Sequence, residues 1–366
     1  MGDKIRIGLV FGGKSVEHEI SLQSAKNIFD ALDKEKYQAV LIGIDKEGKW
    51  LLGKPLPAET GSKAGNQLPI PNLAENRMAL VPGDSQGLLQ ISGAPSLKEV
   101  DVVFPVLHGP YGEDGSVQGL LKLAGIPFVG PSILGSAVSM DKDFTKRLLR
   151  DAGIKVADFL VYGKHQMKSI RFQEVTASLG LPFFVKPANL GSSVGISKVR
   201  SESEMHAALE KAFAFDRKIL IERAIKGREI ECGILGNENP SASILGEVLP
   251  KADFYSYEAK YIDENGAALE LPARLSEEKS AEMRGLALRV FDILACEGMA
   301  RVDFFLTEAG EVLVNEVNTI PGFTRNSMYP KLWEMSGVPY PKLIDRLVEL
   351  ALERHALEKD LKTSYQ

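Results

Sequence analysis

The chain alternates short apolar runs with longer segments whose apolar positions recur every three or four residues, the mark of strands followed by helices. Residues 4–11 predict a strand, Gly12-Gly13 break it, and the pattern from Ser15 to Leu32 predicts a helix. Ser15 and His18 give an incomplete N-terminal cap, with Glu17 and Glu19 as acids in the first turn. Residues 38–45 predict a second strand closed by Asp45-Lys46-Glu47-Gly48, and this β-α-β opening implies a parallel sheet. Residues 53–98 are rich in Gly, Pro, Ser and Asn and weakly periodic, which predicts a long surface excursion with a short hairpin and little chemistry. Order resumes with a strand over Val100–Leu107, a glycine-rich loop over His108–Gly115, a helix from Ser116 and a short strand over Pro127–Val129.

Gly130-Pro131-Ser132 marks a boundary. The second unit has a helix over Asp141–Ala152, a strand over Phe183–Lys186, a loop over Pro187–Gly195 and a strand over Ile196–Val199. A helix over Ser203–Ala212 and a strand over Ile219–Glu222 complete it. The third unit has strands near 229–235 and 243–249, a polar and aromatic loop over 250–266, and a helix over Glu277–Leu294. A hairpin over 299–318, a helix over 341–358 and a polar tail end the chain, with no internal repeat. The expected division is 1–130, 131–222 and 223–366.

Composition narrows this picture. At about 100–200 residues per domain, 366 residues suggest two or three domains. A net charge of −5 and a pI near 5.7 oppose a nucleic-acid or anionic-membrane surface. Cys232 and Cys296, far apart and without Cys or His neighbours at ligand spacing, support neither a disulfide framework nor a zinc site. No signal-peptide pattern and no bilayer-length apolar run is present, so the expected location is the cytoplasm.

Gly8-Leu9-Val10-Phe11-Gly12-Gly13-Lys14-Ser15 fits the P-loop pattern, but Leu9, Val10 and Phe11 complete the strand. Too few residues remain to wrap a phosphate, so a tight turn that brings Glu17 near a ligand is the better reading. The strongest chemistry lies in the hairpin. If Leu306 pairs with Glu311, Asp303 stands opposite Val314 and Arg301 opposite Glu316. Arg301, Asp303, Glu316 and Asn318 then share a face with Val312 and Val314. Asp303, Glu316 and Asn318 are hard oxygen ligands suited to Mg²⁺, with a solvated acidic face as the bland alternative. Lys186 ends an apolar strand before a Gly- and Ser-rich loop, and Lys142 is a second candidate phosphate contact. Each lysine alone reads as surface charge. Ile219–Glu229 carries an acid at a strand end and a second after a glycine turn, a weak adenine and ribose signal. Phe254–Tyr261 is an aromatic loop, either a lid or a packing surface.

Taken in order, these segments resemble the ATP-grasp superfamily and, within it, the D-alanine–D-alanine ligase family. The matching stretches are FGGKSVEHEIS (Phe11–Ser21), HGPYGEDGSVQG (His108–Gly119), Met140–Lys142 and VKPANLGSSVGISKV (Val185–Val199). They continue with Glu229–Glu231, YEAKY (Tyr257–Tyr261), Ala300–Asp303 and NEVNTIPG (Asn315–Gly322). Only residues 53–98 and the last ten fall outside the likeness. It implies a three-domain α/β ATP-grasp architecture: an N-terminal Rossmann-like parallel-sheet domain and two α+β domains enclosing ATP. The implied reaction joins two D-alanines through an acyl phosphate, with ATP as co-substrate and two Mg²⁺ ions, for which Mn²⁺ can substitute.

Roles follow by resemblance. Lys142, Lys186, Ser193 and Lys260 match phosphate contacts. The backbone near Glu222, Arg223 and Ile225 matches the adenine site, Phe254 a further ATP contact, and Glu229 the ribose acid. Asp303, Glu316 and Asn318 match the metal site. Glu17 matches the acid that holds the first D-alanine's ammonium, and Arg301 and the Gly322 N–H match oxyanion donors. Glu17, Ser192 and Tyr261 match a hydrogen-bonded set that ties the lid down and helps deprotonate the attacking amine. His108 matches a further contact near the substrate. Ser327 and Met328 match the second-substrate pocket, where Met328 replaces a common leucine. The lid sequence resembles that of ligases using D-alanine as acceptor, and D-serine or D-lactate remains an alternative because one side chain can change the preference. A homodimer and a role in peptidoglycan precursor synthesis are also implied. Two rivals from other classes are a P-loop NTPase, which Lys14→Ala should abolish, and a nucleotide-binding regulator, whose metal residues should be eroded.

Overall fold

The structure is a computed structural model and describes residues 4–52, 68, 78–80, 88–90, 100–250, 267–362 and 364. Strand β1 (Ile5–Gly12) runs into helix α1 (His18–Ala31), then β2 (Tyr37–Ile44) and the short β3 (Trp50–Leu52). Strands β4 (Met78–Leu80) and β5 (Leu88–Gln90) form a separate antiparallel pair, and β6 (Val102–Val106) returns to the main sheet. That sheet has the order β3-β2-β1-β6, with β1 parallel to both β2 and β6. The order reverses direction between β1 and β6, so their carboxyl ends flank a crevice of the kind where open α/β sheets bind ligands. Residues 127–129 contribute only a bridge, Val103 to Phe128, in place of the expected strand.

Helices α2 (Ser116–Leu123), α3 (Ile133–Met140) and α4 (Lys142–Asp151) follow. Asp141 caps α4, its carboxylate accepting from the backbone of Asp143 at 3.1 Å and Phe144 at 3.3 Å. Then come β7 (Phe159–Gly163), a 3₁₀ segment over Lys164–Ser169 and α5 (Phe172–Leu179). Next are β8 (Phe183–Pro187), β9 (Ser197–Val199), α6 (Glu202–Phe215) and β10 (Lys218–Arg223). Between α4 and β8 the sequence pattern predicts no element, and the structure adds β7 and α5 there. The second sheet has the order β7-β10-β8-β9, all antiparallel. One face, with Phe183, Val185, Ile219 and Ile221, packs on α5 and α6. Alternation turns Lys186 and Glu222 to the other face.

The third sheet has the order β13-β12-β11-β14-β15. Its strands are β11 (Gly227–Gly236), β12 (Ser241–Pro250), β13 (Ala267–Glu270), β14 (Gly298–Thr307) and β15 (Val312–Asn318). Helix α7 (Glu277–Ile293) covers it, and α8 (Met328–Met335) and α9 (Tyr340–Lys359) close the chain. One apolar core joins the first sheet to these last helices, with Ile7, Leu9 and Phe104 in the same cluster as Phe323, Tyr329 and Leu347. Phe104 and Phe323 meet edge to face at 5.7 Å. Arg354 of α9 donates to the Phe128 and Gly130 carbonyls at 2.8 and 2.6 Å. The crevice and the third sheet are therefore held in fixed relation.

The hairpin corrects one expectation. Leu306 pairs with Val312 rather than Glu311, and an irregularity between Phe304 and Asp303 places Asp303 opposite Glu316 and Arg301 opposite Asn318. Asn315 is the extra residue of a β-bulge, which reverses the alternation along β15. Val312 and Val314 point into the core with Val302, Phe304 and Leu306. They do not share a face with Glu316 and Asn318, as unbroken alternation required.

Candidate active site

The turn after β1 has no phosphate cradle. Gly12 N–H donates to Ser21 Oγ at 2.7 Å and Gly13 N–H to the Ile44 carbonyl at 2.8 Å, so the amides a P-loop would aim at phosphate are already engaged. Gly12 and Gly13 have φ of 91° and 98°, which lets the chain reverse tightly and start α1 at His18 with Glu17 as its N-cap residue. Glu17 is 5% exposed. Its carboxylate accepts from the Ser192 hydroxyl, which belongs to the loop after β8. Ser192 and Ser193 both hold left-handed backbone conformations, φ 53° and 59°, rare for residues with a Cβ and concentrated where the surroundings impose them.

Glu17, His108, Ser192, Arg301, Glu316, Asn318 and Gly322 line one cavity of about 50 Å³. Seven positions spread over 300 residues of sequence thus meet at the carboxyl ends of β1 and β6 and the end of β15. Arg301 donates to Asp303 through Nε at 2.7 Å and Nη2 at 2.8 Å, and pairs with Glu231 at 2.8 Å. Burial opposes its charge, but Asp303 and Glu231 outweigh that and hold the guanidinium well above its usual range. Asn318 Nδ2 donates to Asp303 Oδ2 at 2.9 Å, which leaves its amide oxygen for another partner.

His108 lies on the cavity wall and its ring is held at both nitrogens. Its Nδ1 lies 3.0 Å from the Ile320 carbonyl, which can only accept, so Nδ1 carries the proton. Nε2 sits 3.3 Å from Ser24 Oγ, and Ser24 Oγ accepts from the Phe323 N–H at 3.3 Å. Burial lowers its pKa to about 4, so the ring is neutral and straps the loop bearing Gly322 to the first sheet.

Glu113 was missed by the sequence reading, although it lies within the HGPYGEDG segment. It lines the same cavity and accepts from the Gly109 N–H at 2.8 Å and the Ile320 N–H at 3.0 Å. Burial first, then the Glu17 charge, raises its pKa to about 8 against these donors. The unfolded group titrates near 4.5, so between 4.5 and 8 the native state holds the extra proton. This contribution to stability is complete below pH 4.5 and is lost as pH rises through 8, worth on the order of a few kcal/mol. Urea unfolding across this range should show the fall, and a protonated-carboxyl infrared band should vanish above pH 8. A band already absent at pH 6 would show Glu113 ionised in the fold.

The second cluster lies on α4 and the second sheet. Lys186 Nζ donates to Glu222 Oε1 at 2.8 Å, and Lys146 Nζ stands 2.9 Å from Glu222 Oε2. Desolvation would raise the Glu222 pKa, but the two lysines prevail and hold it low. Lys142 donates to the Leu190 carbonyl at 2.8 Å and lies 3.5 Å from Glu316. Lys142 thus bridges the loop after β8 and Glu316 of β15.

The remaining residues are placed as follows. Arg223 and Ile225 line an open cleft of about 790 Å³, and the Arg223 N–H is taken by the Asp158 carbonyl at 2.9 Å. Glu229 is on β11, opposite Phe305. Ser327 precedes α8 and its hydroxyl accepts from the Thr324 N–H at 2.9 Å. A Cβ on Gly322 would stand 2.8 Å from Ser327 Oγ, so glycine permits that approach. Met328 is buried with Val248 and Leu332, outside the cavity lining. Phe254, Lys260 and Tyr261, with the rest of the expected lid over 251–266, lie outside the described residues.

Asp303, Glu316 and Asn318 suit Mg²⁺. They offer hard oxygens and no sulfur or imidazole, and the Lys142 ammonium already lies against Glu316. Among the described residues no group of three His, Cys, Asp or Glu is placed for a metal, so water and phosphate oxygens would complete the shell of this two-acid, one-amide set.

A parallel sheet whose switch point faces two antiparallel sheets, with lysines on one and hard-oxygen acids on the other, defines an ATP-grasp ligase. The comparisons with known proteins agree. Residues 6–131 match the family described as D-ala D-ala ligase N-terminus and residues 148–349 the D-ala D-ala ligase C-terminus. A D-alanine–D-alanine ligase of Oceanobacillus iheyensis is 53% identical, covering 99% of this chain and 99% of its own. D-alanine–D-alanine ligase A of Escherichia coli K12 is 51% identical, covering 99% and 100%. The structure of a D-alanine-D-alanine ligase from Coxiella burnetii superposes with a TM-score of 0.83 at 39% identity, covering 98% of this chain and 97% of that one. The VanG D-Ala:D-Ser ligase of Enterococcus faecalis gives 0.81 at 35%, covering 95% and 100%. The chain belongs to the D-alanine–D-alanine ligase family.

Proposed function

We propose that this enzyme ligates two D-alanines to D-alanyl-D-alanine, with ATP converted to ADP and phosphate, in the cytoplasm, as a homodimer supplying peptidoglycan precursor. The observation that carries the reading is the single cavity that joins Glu17, Arg301 and Gly322 with Glu316 and Asn318 of β15. A carboxylate oxygen of the first D-alanine attacks the γ-phosphorus, the bond to ADP breaks, and an acyl phosphate forms. A carboxylate by itself is a poor acyl donor, and phosphorylation supplies the leaving group. The deprotonated amine of the second D-alanine then attacks the acyl carbon, and the C–O bond to phosphate breaks.

Each residue has a task in this sequence. Glu17 accepts the first ammonium. Glu17, Ser192 and Tyr261 help remove the proton from the attacking amine. Arg301 and the Gly322 N–H bind the oxyanion of the tetrahedral intermediate. Lys142, Lys186, Ser193 and Lys260 hold the phosphates, Glu222 to Ile225 the adenine and Glu229 the ribose, with Phe254 a further ATP contact. Ser327 and Met328 shape the second-substrate pocket. Asp303, Glu316 and Asn318 would hold two Mg²⁺ ions, or Mn²⁺ in their place, which neutralise charge on the transferred phosphoryl group.

Phosphate release from ATP with Mg²⁺ should depend on D-alanine and yield D-alanyl-D-alanine. ATP turnover indifferent to D-alanine would refute the substrate. A mixed product with D-serine or D-lactate in place of the second D-alanine would move the acceptor and keep the chemistry.

A further inference from the structure

The buried cluster at the base of α4 contains a lysine that the proposed function leaves unused. Lys142 and Lys146 are one turn apart on α4, so both project from the same side of its first turns. Lys142 reaches the cavity side, at Leu190 and Glu316. Lys146 turns inward to Glu222. The side chains of Lys146, Glu222 and Lys186 are 1%, 2% and 10% exposed. Burial and the neighbouring Lys186 work against the Lys146 charge, and Glu222 and Glu316 favour it. A buried charge is tolerated where it is paired or where an anion completes it.

Glu222 has one oxygen on each lysine, Oε1 on Lys186 at 2.8 Å and Oε2 on Lys146 at 2.9 Å. A carboxylate gripped at both oxygens cannot turn about its last bond. The Lys186 contact is a hydrogen bond. Neither Lys146 Nζ nor Glu222 Oε2 has a hydrogen bond of ordinary geometry, so their contact is one of charge. Lys186 stands opposite Leu220, and Glu222 opposite Phe184, so the pair meets diagonally on one face of the second sheet. Lys186 has a long stem with four rotatable bonds. Its direction rests on Glu222, and that of Glu222 rests on Lys146.

We propose that Lys146 is a positioning residue of the nucleotide site, which clamps Glu222 so that Glu222 aims Lys186 at the phosphates. This rests on the ATP-dependent ligase reading above. Lys146 makes its direct contact with Glu222 and not with Glu316 of β15, so its loss should act on ATP and spare D-alanine.

The test is the Lys146→Met variant, assayed for kcat and for KM of ATP and of D-alanine, with ADP affinity measured by calorimetry. ATP KM and the ADP dissociation constant should rise at least about tenfold, with D-alanine KM within about twofold of the parent. A purely structural lysine would lower the melting temperature and leave this split absent. Lys146→Arg, which keeps a charge on Glu222, should recover part of the ATP affinity. Should the single variant not fold, Lys146→Met with Glu222→Leu replaces the ion pair by apolar groups and removes the same clamp. It should show the same loss of ATP affinity. ATP KM within twofold of the parent in any folded variant lacking Lys146 overturns the proposal. Failure of the ligase reading would show instead as a parent enzyme without D-alanine-dependent ATP turnover.

Discussion

Glu316→Gln should fold normally and lose turnover by about a thousandfold or more, the equivalent of ~4 kcal/mol in the barrier. The side chain is 23% exposed and its strand is held by backbone pairing to β14, so the amide can replace the carboxylate without opening the core. What is removed is charge. Glu316 faces Asp303 across the ladder, and the pair supplies the only two carboxylates of the candidate Mg²⁺ set. An amide oxygen binds a hard cation far less firmly than a carboxylate, and Asp303 alone would remain as an acid of that set to hold the counter-ion of the phosphoryl group in flight. Lys142 also loses its partner at 3.5 Å, which should leave it free for phosphate and keep ATP binding near that of the parent. Turnover with saturating ATP, Mg²⁺ and D-alanine, together with a melting curve, decides the matter. A folded variant with near-normal turnover would remove Glu316 from the metal site.

How legible this site is in the sequence depends on whether a residue acts through local pattern or through contacts far along the chain. Strand β1, the turn at Gly12-Gly13 and the hairpin are local, and apolar alternation with glycine punctuation predicts them. The shared face of Arg301 and Asp303 followed from alternation on β14, which is regular there. Its extension to Glu316 and Asn318 reached the right residues through the wrong register, one residue off at Leu306 and two at Asp303 and Arg301, because a bulge at Asn315 leaves no signature in one sequence. Val312 and Val314 were placed on the acidic face for the same reason, and they lie in the core. Glu113 and Lys146 stayed hidden because their meaning is tertiary. A glutamate beside glycines reads as loop charge until two backbone amides from residues 109 and 320 are seen to close on it. A lysine four residues into a polar helix reads as solvated until Glu222 is seen beneath it. The resemblance to a known family carried assignments that periodicity could not, such as Glu17, whose partner Ser192 is 175 residues away.

Glu17→Gln is expected to act on the amino acid and not on the nucleotide. Glu17 is buried beside Gly109 and Gly191, so close that a Cβ on Gly109 would lie 2.8 Å from Oε2 and one on Gly191 3.4 Å away. The carboxylate therefore occupies a fixed place at the carboxyl end of β1, and the two glycines leave the space beside it open. Glutamine preserves the shape and can still accept from Ser192. It cannot neutralise an ammonium. A charge-assisted hydrogen bond contributes roughly 1.5–3 kcal/mol, so the D-alanine concentration for half-maximal rate should rise about 10- to 100-fold. Lys142 pairs with Glu316, and Lys146 and Lys186 pair with Glu222, so ATP KM should stay within about twofold. Ser192→Ala separates the two tasks assigned to this carboxylate. It keeps the charge that meets the ammonium and cuts the link to the loop after β8, so kcat should fall while D-alanine affinity changes less. If Glu17→Gln and Ser192→Ala shift the same constant by the same factor, Glu17 serves only to anchor that loop, and the ammonium of the first D-alanine must be held elsewhere.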